Sequence, residues 1–500
     1  MLRKMPMALV AFAAVAGPAW AQGDAAVVDT VASVRALAGV PPAAIALRRY
    51  AKAGDGGGGL LVYDGADTTS PDNGCTVFVD VAGHRWKRAG EARSINVRWC
   101  GAAGDGADAT SAFQAAMAAA PRRGGHSIEI PCGAYRLSAT ISDAASYTTW
   151  RGEGACTVLL PTFVGPVFAI GDDGAGTAEE ITVRDLVIAA AVAQTSGHML
   201  AVKAGARLAY RNIQLIGCYS GVVIGDAGYA LNLPGQTTLE GLRGGCRKDG
   251  VDIPGGASGT SILGAVTLGG VHGQGGRGVS ITGPADGVYI DPAYVIADFD
   301  AGVYIGHSAG SAANIEIDAN ITTPEVAFVE LDLTGSASVN NLIIAGGRWY
   351  DRTTDGDADG LLVRNAGTGP ISSITITGLV ARDIRRNLFD LQAPVAELEA
   401  TDIAALDISA KAPGVYSGFA FGGQAHGHVV IANVRIGGGR SGSSRPAYGL
   451  RDGQNIARMA ISNVDASDAA VAPFASMGPL GTYRKMSNLV GMAFQDRPRR

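Results

Sequence analysis

The stretch Cys218–Gly256, CYSGVVIGDAGYALNLPGQTTLEGLRGGCRKDGVDIPGG, contains one phrase twice: a cysteine, a short polar gap, then Gly-Val-x-Ile. The two cysteines are 28 residues apart. Reading outward, the same phrase recurs as GVSI at Gly278, GVYI at Gly302 and GLLV at Gly360, joining GVVI at Gly221 and GVDI at Gly250. FVEL at Phe328, LFDL at Leu388 and GFAF at Gly418 fill the gaps. The steps are roughly 24 to 32 residues, within the range of solenoid repeats. A second column runs beside this one: Asp185, Asn212, Gly241, Gly264, Asn320, Gly346, Gly378, Asp402, Asn433 and Asn463 each sit between short apolar segments. Asn, Asp and Gly tolerate the left-handed backbone of sharp turns. Each period therefore holds short strands that cannot form a sheet alone and bury their inward Val, Ile and Leu only by stacking coil on coil. The reading is all-β: a parallel β-solenoid.

Composition agrees. Of 500 residues, 47% are hydrophobic, 17% are charged and 72 are glycine, about twice the usual ~7% share of glycine. Such a chain makes many turns and little helix. The net charge is −5, with no basic block, so nothing favours a nucleic-acid partner.

The first residues, MLRKMPMALVAFAAVAGPAWAQGD, carry Arg3 and Lys4, an apolar run broken at Gly17 and Pro18, then Ala19-Trp20-Ala21. This is the layout of a secretory signal cleaved near Ala21. The expectation is a periplasmic or secreted protein with no stable membrane insertion after cleavage. Ahead of the coils, ATSAFQAAMAAAPRRGG reads as an amphipathic helix from Thr110 to Ala120, with Thr110 as its cap and Pro121 as its stop. A helix here is expected to cover the open end of the solenoid. The glycine run AGDGGGGLLVYD, Ala53 to Asp64, lacks the Lys-Ser/Thr of a phosphate loop and reads as a turn before a strand.

INVRWCGAAGDGADATSAFQAAM from Ile95, IEIPCGAYRL from Ile128 and WRGEGACTVLLP from Trp150 together resemble the opening of the pectate-lyase superfamily of right-handed parallel β-helix proteins. The preceding VASVRALAG, YAKAGDGGGGLLVYD and DNGCTVFVDVAGHRWKR resemble the small N-terminal module of phage tail spikes. The signal departs from the phage pattern and favours an exported bacterial enzyme over a virion component. With it the chain is expected to hold four segments: a signal over 1–21, a tail-spike-like module over 22–92, a β-helix over 93–480 and a tail over 481–500. The resemblance also implies action on a bacterial or plant polysaccharide as a carbon-oxygen lyase or glycoside hydrolase. The alternatives are a uronate epimerase or a non-catalytic glycan-binding or structural solenoid. Monomers and homotrimers both occur among such proteins.

Alternation along the repeated strand turns Val223, Asp252, Ser280, Tyr304, Glu330, Leu362 and Asp390 outward, and puts Asp332 and Arg364 in adjacent coils as a surface ion pair. Loops just before that strand hold His272, Arg277, Asp298, Asp300, Glu325, Arg348 to Arg352 and Arg382 to Arg386. Equivalent loops of successive coils line one face. Hydrolysis needs two carboxyl groups, and Asp298, Asp300, Glu325, Glu330 and Asp351 are the candidate set. Asp252, His272, Tyr304, Arg348, Trp349, Tyr350, Arg352 and Arg385 are the candidate substrate contacts, with Trp349, Tyr350 and Tyr304 positioned to stack on sugar rings. β-Elimination would instead use Arg352, Arg385, His272 or Tyr304 as base, with neighbouring carboxylates holding calcium. The residues themselves fix no cofactor or metal.

KDGVDI at Lys248 is similar to the Asn-Thr-Asp-Gly-x-Asp motif of polygalacturonases, and GRGVSI at Gly276 to their Gly-His-Gly strand. Arg277 stands where that histidine would be, which argues against ordinary polygalacturonase activity. The coil register, finally, places Cys218 beside Cys246 at a spacing a disulfide accepts, with Cys132 and Cys156 as a second pair.

Overall fold

The structure, a computed structural model, describes residues 26–490 apart from 91–92, 121–124, 229–231, 233, 264–265, 272, 352–355, 423–424, 438–443, 453–455 and 477–482. The proposed signal and its cleavage point lie outside the described residues, as do Gly264 of the turn column and Pro121. The chain divides into two compact units, Met1–Gly90 and Glu91–Arg500.

In the first unit, strands Ala26–Val28, Ala44–Leu47, Gly59–Tyr63, Arg85–Arg88 and Val77–Val79 form one sheet in that spatial order. The first pair is parallel and the rest antiparallel. Alternation turns Ile45, Leu47, Leu61, Phe78 and Trp86 inward against Val31 and Val34 of a short helix, Val31–Arg35, closing a small core. The glycine run before Gly59–Tyr63 is organised by Asp55, whose carboxylate accepts the backbone N–H groups of Tyr50, Ala51, Lys52 and Gly57. A side chain thus fills the nest that a phosphate would need.

The second unit is a parallel β-helix of about 12 turns, in a molecule that is 52% strand and 5% helix. Among the described residues its strands form a 13-stranded and a 24-stranded sheet, parallel throughout. The repeated phrase is the spine of the 13-stranded sheet. Val222, Val251, Val279, Val303, Val329, Leu361, Phe389 and Phe419 are consecutive register partners and none is more than 1% exposed. The phrase opens with glycine because the chain is crowded there. A Cβ on Gly278 would lie 2.2 Å from Ile296 Cγ2, and one on Gly360 2.2 Å from the Leu388 carbonyl oxygen.

The turn column also stacks. Asp185, Asn212, Asp402, Asn433 and Asn463 have φ between 51° and 60°, and their side chains form ladders: Asn212 Nδ2 donates to Asp185 Oδ1 at 3.1 Å, Asn433 Nδ2 to Asp402 Oδ1 at 3.0 Å, and Asn463 Nδ2 to Asn433 Oδ1 at 3.0 Å. One member differs from the sequence expectation. Asn320 begins the strand Asn320–Thr322 and is not among the left-handed residues; below Gly346, Asp318 Oδ1 lies 2.5 Å from where a Cβ on that glycine would stand.

The helix spans Thr110–Ala119. Thr110 is its first helical residue rather than its cap, and its N–H and hydroxyl both donate to Asp108 Oδ1 at 2.9 and 2.6 Å. Buried Phe113 stacks on Trp150 with ring centroids 5.8 Å apart, which seats the helix on the coil core. Both register-based disulfides are present, Cys218–Cys246 with Cα atoms 4.7 Å apart and Cys132–Cys156 at 4.8 Å. No cysteine among the described residues is free.

Candidate functional site

Because neighbouring coils repeat every ~4.8 Å, the outward row of the 13-stranded sheet brings residues distant in sequence onto one strip. Val223, Asp252, Ser280, Tyr304, Glu330, Leu362 and Asp390 are successive register partners. Two groups of charge lie on this strip.

The first gathers around Asp252. His198 Nε2 stands 3.6 Å from Asp252 Oδ2, and Asp249, three residues earlier in the same coil, accepts the backbone N–H of Arg277 at 3.0 Å. Burial raises the Asp249 pKa above the ordinary carboxylate value. The nearby charge of Asp252 adds to the rise, and Arg277 and Lys248 oppose it. The second group gathers around Glu330, which is only 6% exposed. The Arg364 guanidinium pairs with Glu330 Oε1. Burial nevertheless lifts the Glu330 pKa, helped by the charge of Asp332 and opposed by Arg364. Glu330 and Asp332 alternate on the strand Ala327–Leu333 and so share its outer face. Between the groups, the Arg277 guanidinium lies 3.5 Å from the Tyr304 ring centroid, and burial raises the Tyr304 phenol pKa.

An open cleft of about 310 Å³ adjoins this second group, lined by Thr282, Tyr304, Gly306, His307, Ser308, Asp332 and Thr334. His307 is 6% exposed, and both its ring nitrogens are enclosed. Burial lowers its pKa, outweighing the backbone near Gly310 and Ser338, which favours the charged form.

The loop residues fall differently from the sequence expectation. Asp300 accepts the N–H groups of Gly273 and Gly275 at 2.9 and 2.5 Å, so its carboxylate holds the preceding coil's loop. Asp298 occupies a turn with φ 59° and accepts the Thr323 hydroxyl at 2.6 Å. Asp351 is 3% exposed, at the end of the strand Arg348–Tyr350. Glu325 is half-buried, with Oε2 enclosed. Arg348 is exposed, Tyr350 is half-buried, and Arg385 Nε donates to the Gly356 carbonyl. These loops form a scaffold beside the strip.

His272 and Arg352 lie outside the described residues. Two stacking roles do not hold. Trp349 is 1% exposed and stacks on Phe328 inside the core, with centroids 5.5 Å apart, because alternation turns it inward. Tyr304 already carries Arg277 on one face and leans on Gly306, where an added Cβ would lie 2.2 Å from the ring. The expected Asp332–Arg364 pair is a register pair, but the guanidinium reaches Glu330 instead.

Alternation alone makes Asp252, Tyr304 and Glu330 legible in the sequence, but not His198, Asp249 and His307. Asp249 stood in the KDGVDI motif, and His198 and His307 are marked only by their place in the coil register. The one cluster with metal-ligand spacing among the described residues, Cys132, Glu153 and Cys156, is accounted for by the disulfide joining the two sulfurs.

Residues 27–91 match the model of the phage tail protein small four-stranded beta-sheet domain. Two solved structures resemble most of the chain. Full-length tailspike protein 2 from Escherichia coli O157:H7 bacteriophage CAB120 aligns with a TM-score of 0.50 and 15% identity over 93% of this chain and 55% of its own. The tailspike protein gp49 from Acinetobacter baumannii bacteriophage Fri1, a capsular polysaccharide depolymerase, aligns with a TM-score of 0.53 and 12% identity over 95% of this chain and 77% of its own. At these identities the likeness is one of fold: a tailspike-like β-helix with a phage-tail-type small β domain. The chain spans about half the length of the first of these proteins.

Proposed function

We propose that this protein is an exported polysaccharide depolymerase that hydrolyses glycosidic bonds on the strip around Glu330. The observation that carries the reading is the pair Glu330 and Asp332. They are two outward carboxyls on one strand, beside an open cleft, and the first is pushed toward its protonated form by burial. A glycosidase needs one carboxylic acid to protonate the leaving oxygen and one carboxylate to act on the other side of the sugar. Glu330 suits the first role and Asp332 the second. The tailspike fold and the depolymerase activity named for one structural neighbour support polysaccharide as substrate. The disulfides suit an oxidising compartment, in line with the signal-like first residues.

A second reading, β-elimination, is favoured by one observation, the guanidinium of Arg277 against the Tyr304 phenol. One assay separates the two. Mature protein is incubated with bacterial capsular and plant polysaccharides while reducing ends and absorbance near 232 nm are followed. Hydrolysis raises reducing ends alone, and elimination raises both. Glu330→Gln is expected to lower turnover at least ~100-fold with a melting temperature within a few degrees of the parent. An active Glu330→Gln protein would remove Glu330 from the mechanism.

A further inference from the structure

We propose that Tyr304 meets the substrate through its hydroxyl rather than its ring face, and that Arg277 is the positioning residue that holds it there. The inference rests on the reading of the strip as a polysaccharide site, and names how one wall of that site is fixed.

Three observations carry it. The Arg277 guanidinium lies 3.5 Å from the Tyr304 ring centroid, and among the described residues that guanidinium has no ion-pair or hydrogen-bond partner. Carboxylates are near, since its charge acts on both Asp249 and Glu330. A half-buried arginine beside carboxylates ordinarily takes one of them as a forked partner. Here its flat face is given to an aromatic ring instead, a packing that lysine cannot reproduce. The point from which Arg277 reaches out is also fixed. It opens the strand Arg277–Ile281, is the register partner of Ala301 and donates its backbone N–H to Asp249 Oδ1 at 3.0 Å. Finally, the phenol end of Tyr304 rests on Gly306, where an added Cβ would lie 2.2 Å from both Cζ and the hydroxyl oxygen.

With one face under the guanidinium and its far end seated on backbone, the ring offers the cleft its hydroxyl. Tyr304 lines that cleft together with Thr282 and Asp332. Its hydroxyl is open to solvent and has no hydrogen-bond partner among the described residues. A phenol both donates and accepts, which suits a sugar hydroxyl. A tyrosine on an outward row would otherwise choose among staggered rotamers. Arg277, reaching from the preceding coil, removes that choice before the sugar arrives, so that the contact loses less freedom on binding.

The test uses the full chain carrying Tyr304→Phe, Arg277→Met, Arg277→Lys, and Tyr304→Phe with Arg277→Met together, with melting temperatures measured alongside. Replacing tyrosine by 3-fluorotyrosine gives each ring a fluorine signal, and the signal lost in Tyr304→Phe reports Tyr304 without any substrate. Arg277→Met is expected to move that signal and to raise the pH at which it titrates, because the guanidinium holds the phenol pKa down against burial. On a polysaccharide that the parent cuts, Tyr304→Phe and Arg277→Met are each expected to raise KM about 10-fold. The double variant should raise it no further than Tyr304→Phe alone, because Arg277 acts through the ring. Arg277→Lys keeps the charge without the flat face and is expected to recover only part of the loss.

If the parent cuts polysaccharide but Tyr304→Phe leaves KM unchanged, or the two losses multiply, the proposal falls while the depolymerase reading stands. Full recovery in Arg277→Lys would mean that charge alone suffices, and overturns the positioning role. If the parent cuts nothing, the depolymerase reading falls, and the same four variants are compared for binding to a glycan array. A loss shared by the single and double variants then sustains the proposal, and multiplied losses or no binding at all overturn it. A ~1,000-fold fall in kcat for Tyr304→Phe with unsaturated products would make the phenol a base in elimination and overturn its role as a contact. A Tyr304 fluorine signal indifferent to Arg277 overturns the proposal in every case.

Discussion

Asp359 gives the sharpest physical test of the coil stack. It begins the strand Asp359–Asn365 and is fully buried. Its Oδ1 accepts the Asn387 N–H at 2.9 Å, and its Oδ2 lies 3.5 Å from Arg386 Nη1. Burial pushes its pKa to about 7, with Asp390 adding to the rise and Arg386 opposing it. In the unfolded chain the carboxyl ionises at its usual value near 3.8. Between those two values the unfolded chain has lost the proton and the folded chain still holds it, so rising pH favours unfolding. The contribution is fully favourable below about pH 4, is lost as pH approaches 7, and is flat beyond. Three units at 1.36 kcal/mol each give a loss of about 4 kcal/mol.

Asp359→Asn removes the titration and keeps an acceptor for Asn387. Arg386, partly solvated, gives up little when the charge goes. Urea unfolding of parent and variant at pH 4, 5.5, 7 and 8.5, followed by far-UV circular dichroism, is expected to show a stability gap near zero at pH 4. The gap should widen in the variant's favour by several kcal/mol up to pH 7 and then level off. A gap that is constant with pH, or narrows as pH rises, would refute the reasoning.

Replacing Cys218 and Cys246 with serine opens a bridge across a sequence separation of 28 residues, for which the chain-entropy model gives a loss of about 3.5 kcal/mol. Thermal unfolding with and without reductant checks it, and a melting temperature indifferent to the bridge would count against it. At the turn ladder, Asn433→Ala puts a residue that tolerates the left-handed region less well than asparagine at φ 54° and removes the bonds to Asp402 and Asn463. It should cost about 1–2 kcal/mol, and Asn433→Gly less, as denaturant midpoints will show. Equal losses would mean that backbone strain plays no part.

The repeated Gly-apolar-x-apolar phrase determined the architecture without any help from tertiary information. One residue step sets the inward face, and a one-residue slip would turn every Val and Leu of the 13-stranded sheet outward. The register from Val222 to Phe419, the outward row from Val223 to Asp390 and the Cys218–Cys246 bridge all follow from that period. Short-range periodicity stops there. It says which way a side chain leaves the sheet, but not which neighbour it reaches. Arg364, register partner of Asp332, bends to Glu330. Asp300 spends its carboxylate on the loop of the preceding coil, and Trp349 lies in a strand three residues long, too short for its alternation to be read beforehand. His198 meets Asp252 across more than fifty residues of chain, and His307 becomes a cleft wall only once Thr282 and Thr334 flank it from the coils on either side. Burial and the choice among competing partners are properties of the stacked coils. They decide which carboxyls hold protons and which side chains line the cleft, and only the tertiary structure sets them.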